Sequence, residues 1–133
     1  MSTVLERLKL SVKKDIIPDD IIMGILAGLQ EDLIPKDPAV FHRTIYELRK
    51  KEEFREMLEE FYFDTSGITP FSELLDSVLF RLETAGTLAT YNPRYEKYQV
   101  KRDKVKARLE KFSDPQKALL AQMSQEFQAL ISG

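Results

Sequence analysis

The most regular pattern in the chain is a set of apolar residues at three- and four-residue spacing between residues 71 and 82. Such spacing places side chains on one face of an α-helix. The predicted face comprises Phe71, Leu74, Leu75, Val78, Leu79 and Leu82. Thr69 and Pro70 suit the N-cap and the first helical position, and Gly86 suits a left-handed exit. The pattern therefore predicts a helix that begins near Pro70 and stops before Gly86.

An alternating pattern of apolar and polar residues follows this helix directly. Residues 87–91 and 95–100 are predicted to form two strands, with Tyr98 and Val100 on one side of the second. The residues between them, Asn92-Pro93-Arg94, have the composition of a turn. The sequence therefore predicts a β-hairpin immediately after the helix.

A helix is also predicted near the start of the chain, where Pro18 opens it and Pro35 ends it. Its apolar stripe comprises Ile21, Ile22, Ile25, Leu26, Leu29 and Leu33. Gly24 and Gly28 lie beside the stripe, and small residues at this spacing allow a second helix to approach closely. Residues 1–14 fit either a helical or an alternating pattern, and we expect a short strand or a loose arm there.

Two more helices are predicted between the first helix and the central one. One spans residues 38–50, where Asp37 and Pro38 provide an N-cap and a first position, and the other spans about residues 52–61. The aromatic run at residues 61–63 suits a short strand. We expect this strand to join the hairpin in a three-stranded sheet.

The residues after the hairpin predict two C-terminal helices, at about residues 101–112 and 115–131. The last helix carries an apolar seam of Leu120, Met123, Phe127 and Leu130. This seam permits two arrangements, packing on the first helix of the same chain or on a second subunit. A homodimer through the C-terminal helix is the second of these.

The helix, the glycine and the following strand resemble the recognition helix and wing of winged helix-turn-helix domains. The matching residues are Leu82, Glu83, Thr84, Ala85, Gly86 and Leu88. The resemblance implies a single, mainly α-helical domain over residues 1–133, with a small β-hairpin or three-stranded sheet. Its core is expected at about residues 37–100. The helices at about 18–33 and 101–131 are then extensions at the two ends. Members of this superfamily bind nucleic acid or proteins, so the resemblance alone does not choose between these functions.

The composition narrows the class of protein. The chain has 133 residues, 43% of them hydrophobic, which is enough for one globular domain with a core. It has no apolar run of membrane-spanning length and no cysteine, so we expect a cytoplasmic protein without a membrane association. His42 is the only histidine and is expected to face solvent; one histidine without a cysteine cannot form a conventional His-rich metal site. Because no catalytic or cofactor-binding motif occurs, we expect a non-enzymatic protein without a cofactor.

The charge distribution points in two directions. The outer face of the central helix carries Glu73, Asp76 and Glu83, which oppose insertion into a major groove. Residues 91–112 instead hold eight basic and three acidic side chains, although the whole chain has a net charge of −2. This local excess of five positive charges is typical of a phosphate-binding surface.

Two functions therefore stay open at the level of sequence. The first, which the family analogy favours, is a regulator that associates with double-stranded DNA. Its candidate contacts are Ser72, Ser77 and Arg81 at the groove, with Arg94, Lys97, Lys101 and Arg102 at the phosphates. The second is a protein-interaction module, in which the acidic helix and an exposed Phe80 bind a partner.

Overall fold

The structure, a computed structural model, describes residues 16–91 and 97–132. The expected strand or arm at residues 1–14 and the expected turn at residues 92–94 therefore lie outside the described residues. Within the described ranges, six α-helices and three short strands form a mainly helical fold with one small antiparallel sheet.

The elements follow one another closely along the chain. In order they are α1 (Pro18–Ala27), β1 (Leu33–Pro35), α2 (Pro38–Lys50), α3 (Glu52–Leu58), α4 (Glu73–Thr84), β2 (Leu88–Tyr91), β3 (Lys97–Val100), α5 (Arg102–Arg108) and α6 (Asp114–Ser132). A 3-10 turn, Leu109–Lys111, continues α5. The central helix, the hairpin and the C-terminal helices thus occur where the sequence predicts them, with differences at their ends.

The first helix is shorter than predicted. It ends at Ala27, because Gly28 caps it by donating its backbone N–H to the last carbonyl groups of the helix. The predicted continuation to Pro35 is wrong, since residues 33–35 form strand β1, in which Ile34 is fully buried. Pro35 lacks a backbone N–H, but β1 is an edge strand, so its outer side has no neighbouring strand that would require this donor.

The sheet has the strand order β1-β3-β2, and both pairings are antiparallel. Its third strand is therefore residues 33–35, and the expectation that residues 61–63 supply it is wrong. With α1 before β1 and α4 directly before β2, the fold has a winged-helix-like layout. Because β1 belongs to the sheet, the core of this layout begins upstream of the predicted boundary at residue 37.

Helix α6 packs on α1 through the two glycines that the sequence marks for close approach. A Cβ atom on Gly24 would lie 2.8 Å from Cδ1 of Leu120, and one on Gly28 would lie 2.7 Å from Cβ of Ser124. The hydroxyl of Ser124 donates to the carbonyl oxygen of Ile25 at 2.6 Å. The predicted close approach at these glycines is therefore confirmed.

The apolar seam of α6 is used within the chain. Leu120, Met123 and Phe127 are buried in the common core, and the Phe127 ring meets Phe41 of α2 edge to face at 5.3 Å. Only Leu130, 46% exposed, remains on the surface. Of the two arrangements that the seam permits, the structure has the one within a single chain, which buries three of the four seam residues.

Candidate functional site

Helix α4 is the element around which the predicted functional residues gather, and it begins later than predicted. Its N-cap is Ser72, whose hydroxyl accepts the backbone N–H of Leu75 at 3.1 Å. Thr69 and Pro70 instead belong to a loop that is closed by a backbone pair between Asp64 and Phe71. Ser72 is fully buried, so its predicted role as a groove contact is wrong.

The end of α4 is fixed by a left-handed glycine, as predicted. Gly86 has φ +77°, and its N–H donates to the carbonyl of Glu83 at 3.0 Å. The N–H of Thr87 donates to the carbonyl of Leu82 at 2.9 Å, which completes a Schellman motif. The chain therefore enters β2 at once, and the outer face of α4 is held in a fixed position beside the sheet.

His42 of α2 supports the start of α4 from the inside. Its side chain is buried, and Nδ1 accepts the backbone N–H of Ser72 at 3.1 Å. Phe71 stacks on the imidazole with the ring centroids 4.8 Å apart. The expectation of a solvent-facing histidine is therefore wrong. Because Nδ1 is an acceptor, the ring is neutral with its proton on Nε2, and burial lowers the pKa of His42 although Asp76 opposes this.

This arrangement predicts a pH-dependent stability. As the pH falls below 6.5, the ordinary histidine value, the unfolded chain binds a proton at residue 42 before the folded chain does. The free energy of unfolding should therefore be fully retained above that pH and should fall as the pH decreases towards the lower folded pKa. Urea denaturation at pH 7.5, 6.5 and 5.5 measures this change.

The matched variant is His42→Asn, since an amide oxygen can accept the Ser72 N–H but the side chain does not titrate. We expect a weaker loss of stability between pH 6.5 and 5.5 in this variant than in the wild type. If the free energy of unfolding decreased equally with pH in the two proteins, the titration of His42 would not be the cause of the pH dependence.

The outer face of α4 has two flanks with different surroundings. On one flank, the guanidinium of Arg81 donates to both carboxylate oxygens of Asp19 at 2.8 Å, and this pairing raises the pKa of Arg81. Arg81 is thus held against α1 and is not directed at a groove, contrary to its predicted role. Ser77 is exposed on the helix, as predicted for a surface contact.

Part of the basic stretch after the hairpin is compensated by acidic residues. Arg102 forms an ion pair with Asp32, while Arg108 and Lys111 both reach the buried carboxylate of Asp20. The positive excess predicted from the sequence is therefore reduced at the surface, although Lys97, Lys104 and Lys106 stay exposed. Arg102 in particular is engaged by an acidic side chain and is poorly placed as a phosphate contact.

The remaining predicted phosphate contacts lie on or near the hairpin. Lys97 is exposed at the start of β3, and it forms no ion pair with any described residue. The ammonium of Lys101 donates to the side-chain oxygen of Gln99 at 3.4 Å. Arg94 lies outside the described residues. The structure therefore leaves Lys97 as the described hairpin cation that is most accessible to a ligand.

The second flank of α4 borders a cleft of about 540 Å³, which we call the α4 cleft. It lies between α4, the start of α2 and the sheet. Its lining residues are Lys36, Asp37, Pro38, Asp76, Leu79, Phe80, Glu83 and Tyr98. Phe80 is 68% exposed, as the sequence predicts, so the cleft combines an accessible phenyl ring with three carboxylates and one ammonium group.

The single cation of the α4 cleft is held by its neighbours. Lys36 donates to the hydroxyl of Thr90 at 2.9 Å, and its ammonium lies 5.7 Å from the centre of the Tyr98 ring. It is 4.0 Å from Glu83, which is the limit for an ion pair. Burial raises the pKa of Tyr98, and the neighbouring Glu83 carboxylate raises it further, so the phenol stays protonated.

Sequence reasoning finds three of the eight residues that line this cleft. Asp76, Phe80 and Glu83 are predicted on the outer face of α4 because helical spacing separates them from the apolar face. Lys36 and Tyr98 are missed, since they come from the β1–α2 connection and from β3. Their approach to α4 depends on the pairing of strands that are distant in sequence, for which there is no local signal.

Comparisons of the chain with protein-family models, with curated proteins and with solved structures found no match. Among residues 16–91 and 97–132, no helix has the length and apolar character needed to cross a bilayer. In the same part of the chain, no group of three or more His, Asp or Glu side chains is arranged to hold a metal ion.

Proposed function

We propose that this chain is a cytoplasmic, non-enzymatic protein-interaction module that uses the outer face of α4 to bind a partner protein. The observation that carries the proposal is the chemistry of that face. It presents Asp76 and Glu83 on either side of the exposed Phe80, whereas its one base, Arg81, is held by Asp19. An exposed aromatic ring within a polar rim is typical of a protein-binding surface.

The same face is unsuited to the major groove of DNA. Insertion of this face into the groove would bring its carboxylates close to the phosphates and to the acceptor atoms of the bases, and both would repel them. Of the three predicted groove contacts, Ser72 is buried and Arg81 is paired, so Ser77 alone remains exposed. One serine provides little discrimination between base pairs.

A second candidate function is nucleic-acid association through the hairpin, with α4 turned away from the groove. The winged-helix-like layout and the exposed, unpaired Lys97 among the described residues favour it. In this function Lys97, Lys101 and Arg94 of the sequence would contact phosphates. The contacts would be independent of base sequence and sensitive to salt.

Binding to a labelled random DNA duplex, measured by fluorescence anisotropy at 50 and 150 mM salt, separates the two functions. We expect the wild type to bind only weakly at 50 mM salt and not appreciably at 150 mM salt. Neutralising the α4 carboxylates in the variant Glu73→Gln/Asp76→Asn/Glu83→Gln should raise duplex affinity about ten-fold at the lower salt, because repulsion of phosphates is removed. A control with Glu47→Gln, Glu53→Gln and Glu59→Gln removes the same number of negative charges away from α4.

Strong wild-type binding that decreases steeply with salt would contradict the proposal. If Arg94→Ala/Lys97→Ala/Lys101→Ala then removed this binding, the hairpin function would replace it.

The experiment that tests protein binding uses random twelve-residue peptides that are displayed on phage and selected against the immobilised wild type. We expect selected peptides that bind the wild type but not Phe80→Asp. Tyr62→Asp is the matched control, since Tyr62 is an equally accessible aromatic residue, 76% exposed, on the loop after α3. Selected peptides that bind both variants as well as the wild type would place any partner site away from α4.

A further inference from the structure

We propose that the α4 cleft binds a peptide segment that places two cationic side chains on either side of an apolar residue. The inference rests on the proposed function and makes it specific, because it names the site and the chemistry of the partner. It follows from the spacing, the apolar surface and the incomplete charge compensation of the cleft.

The spacing is set by α4 itself. Asp76, Phe80 and Glu83 are four and three residues apart, so they lie in one row along the helix. At 1.5 Å rise per residue, the two carboxylates are separated by about 10 Å along the axis. A partner that satisfies both must therefore present two cations about 10 Å apart, with an apolar group between them at the level of Phe80.

The apolar part of the cleft is ready to accept that group. Phe80 is exposed at its rim, and Leu79 and Pro38 continue the apolar surface beneath it. Burying an exposed phenyl ring against an apolar side chain is favourable. The methylene stems of arginine or lysine can cover the same surface while their charged ends reach the carboxylates.

The carboxylates of the cleft can form further hydrogen bonds and ion pairs with a cationic partner. Asp76 forms no ion pair with the described residues, and Asp37 uses one carboxylate oxygen to accept the Ala39 N–H at 3.0 Å. Glu83 interacts with Lys36 at 4.0 Å and forms a hydrogen bond with the Tyr98 phenol, so it has less capacity left for a partner than Asp76 has. Three carboxylates against one ammonium leave the cleft with two negative charges in excess. Arginine or lysine would gain charge-assisted hydrogen bonds there, whereas phosphates and anionic lipids would be repelled.

A second copy of this chain is a weaker occupant than a foreign peptide. Of the seven described cations in its basic stretch, Arg102, Arg108 and Lys111 are engaged by Asp32 and Asp20, and Lys104 donates to the carbonyl of Ala85. Releasing them would break ion pairs that stabilise the fold, including the pairs with a buried carboxylate.

The test uses peptides selected by phage display against the full chain, then synthesised with a fluorescent label. We expect a recurrent pair of Arg or Lys residues that brackets an aromatic or aliphatic residue. Asp76→Asn/Glu83→Gln should weaken binding of these peptides about ten-fold or more and flatten its salt dependence, since each lost charged hydrogen bond has a substantial effect. Circular dichroism verifies that these isosteric surface variants are folded.

Glu73→Gln is the matched control, because Glu73 lies on α4 outside the cleft and its replacement removes one charge from the same helix. We expect it to leave peptide binding within about two-fold of the wild type, as for other substitutions away from a binding site.

The outcomes distinguish a failure of the ligand chemistry proposed for the cleft from a failure of the proposed protein-binding function. Peptides that lose binding to Phe80→Asp but carry no cationic pair, or that bind Asp76→Asn/Glu83→Gln normally, would overturn the proposed ligand chemistry and leave protein binding intact. Failure to select any peptide, together with salt-dependent duplex binding, would overturn both. A wild-type dimer in sedimentation that Asp76→Asn/Glu83→Gln dissociates would make a second copy the occupant and refute a foreign peptide.

Discussion

Replacement of Phe127 by Asp should unfold the protein. The Phe127 ring is 1% exposed and packs edge to face on Phe41, which joins α6 to α2. Removal of a buried phenyl ring costs about 3–5 kcal/mol, and burial of an unpaired carboxylate adds several more. The sum approaches or exceeds the whole stability of a typical domain, about 5–15 kcal/mol. Circular dichroism and urea denaturation of Phe127→Asp provide the measurement.

The control for this prediction lies on the same helix. Leu130 continues the seam that the sequence marks, but it is 46% exposed, so Leu130→Asp should change stability by less than about 1 kcal/mol. If the seam were instead a contact between subunits, Phe127→Asp would yield a folded monomer from a dimer. A folded Phe127→Asp protein in sedimentation would therefore contradict the packing of α6 within the chain.

Replacement of Lys111 by Met should be the second most damaging of the changes considered. The carboxylate of Asp20 is fully buried, and it accepts the Lys111 ammonium at 2.9 Å and the Ile17 backbone N–H at 3.1 Å. The next cation, Arg108, is 3.5 Å away. Loss of the partner of a buried charge costs about 3–5 kcal/mol when the charge is left uncompensated. Because Arg108 remains near Asp20, we expect the loss to lie at or below the lower end of that range.

A double-mutant cycle distinguishes this charge effect from lost packing. Asp20→Asn keeps an oxygen that can accept the Ile17 N–H but no longer requires a counter-charge. Lys111→Met and Asp20→Asn together should therefore cost less than the sum of their separate effects, with a coupling of about 1–3 kcal/mol in urea denaturation. Additive losses would show that Lys111 acts through its hydrocarbon stem alone.

The elements that the sequence predicts well are those with local signals at both ends. Helix α2 spans Pro38–Lys50 as predicted, because Asp37 caps it and accepts the Ala39 N–H. The exit of α4 is correct because a single glycine at φ +77° is sufficient to stop the helix. The inward face of α4 is also correct at Leu75, Val78, Leu79 and Leu82.

The errors arise where the structure depends on distant residues. Leu33 continues the helical spacing of α1, yet it forms part of β1 because residue 99 pairs with it. His42 has a polar side chain beside the apolar face of α2, and its burial depends on a backbone donor at Ser72. Arg81 is a surface base in any local reading, but Asp19 on another helix engages it. The periodicity of apolar residues along the chain carries no information about contacts between residues that are distant in sequence.

The order of strands determines where this chain can be divided. An expressed fragment limited to residues 37–100 would contain the central helix and the hairpin but not residues 33–35, so β3 would become an unpaired sheet edge. Phe41 would also lose the ring of Phe127 and expose apolar surface. Such a fragment would expose unpaired backbone N–H and C=O groups together with apolar surface. We therefore expect copies of it to aggregate. A transplantable module must therefore start before Leu33 and extend beyond Phe127.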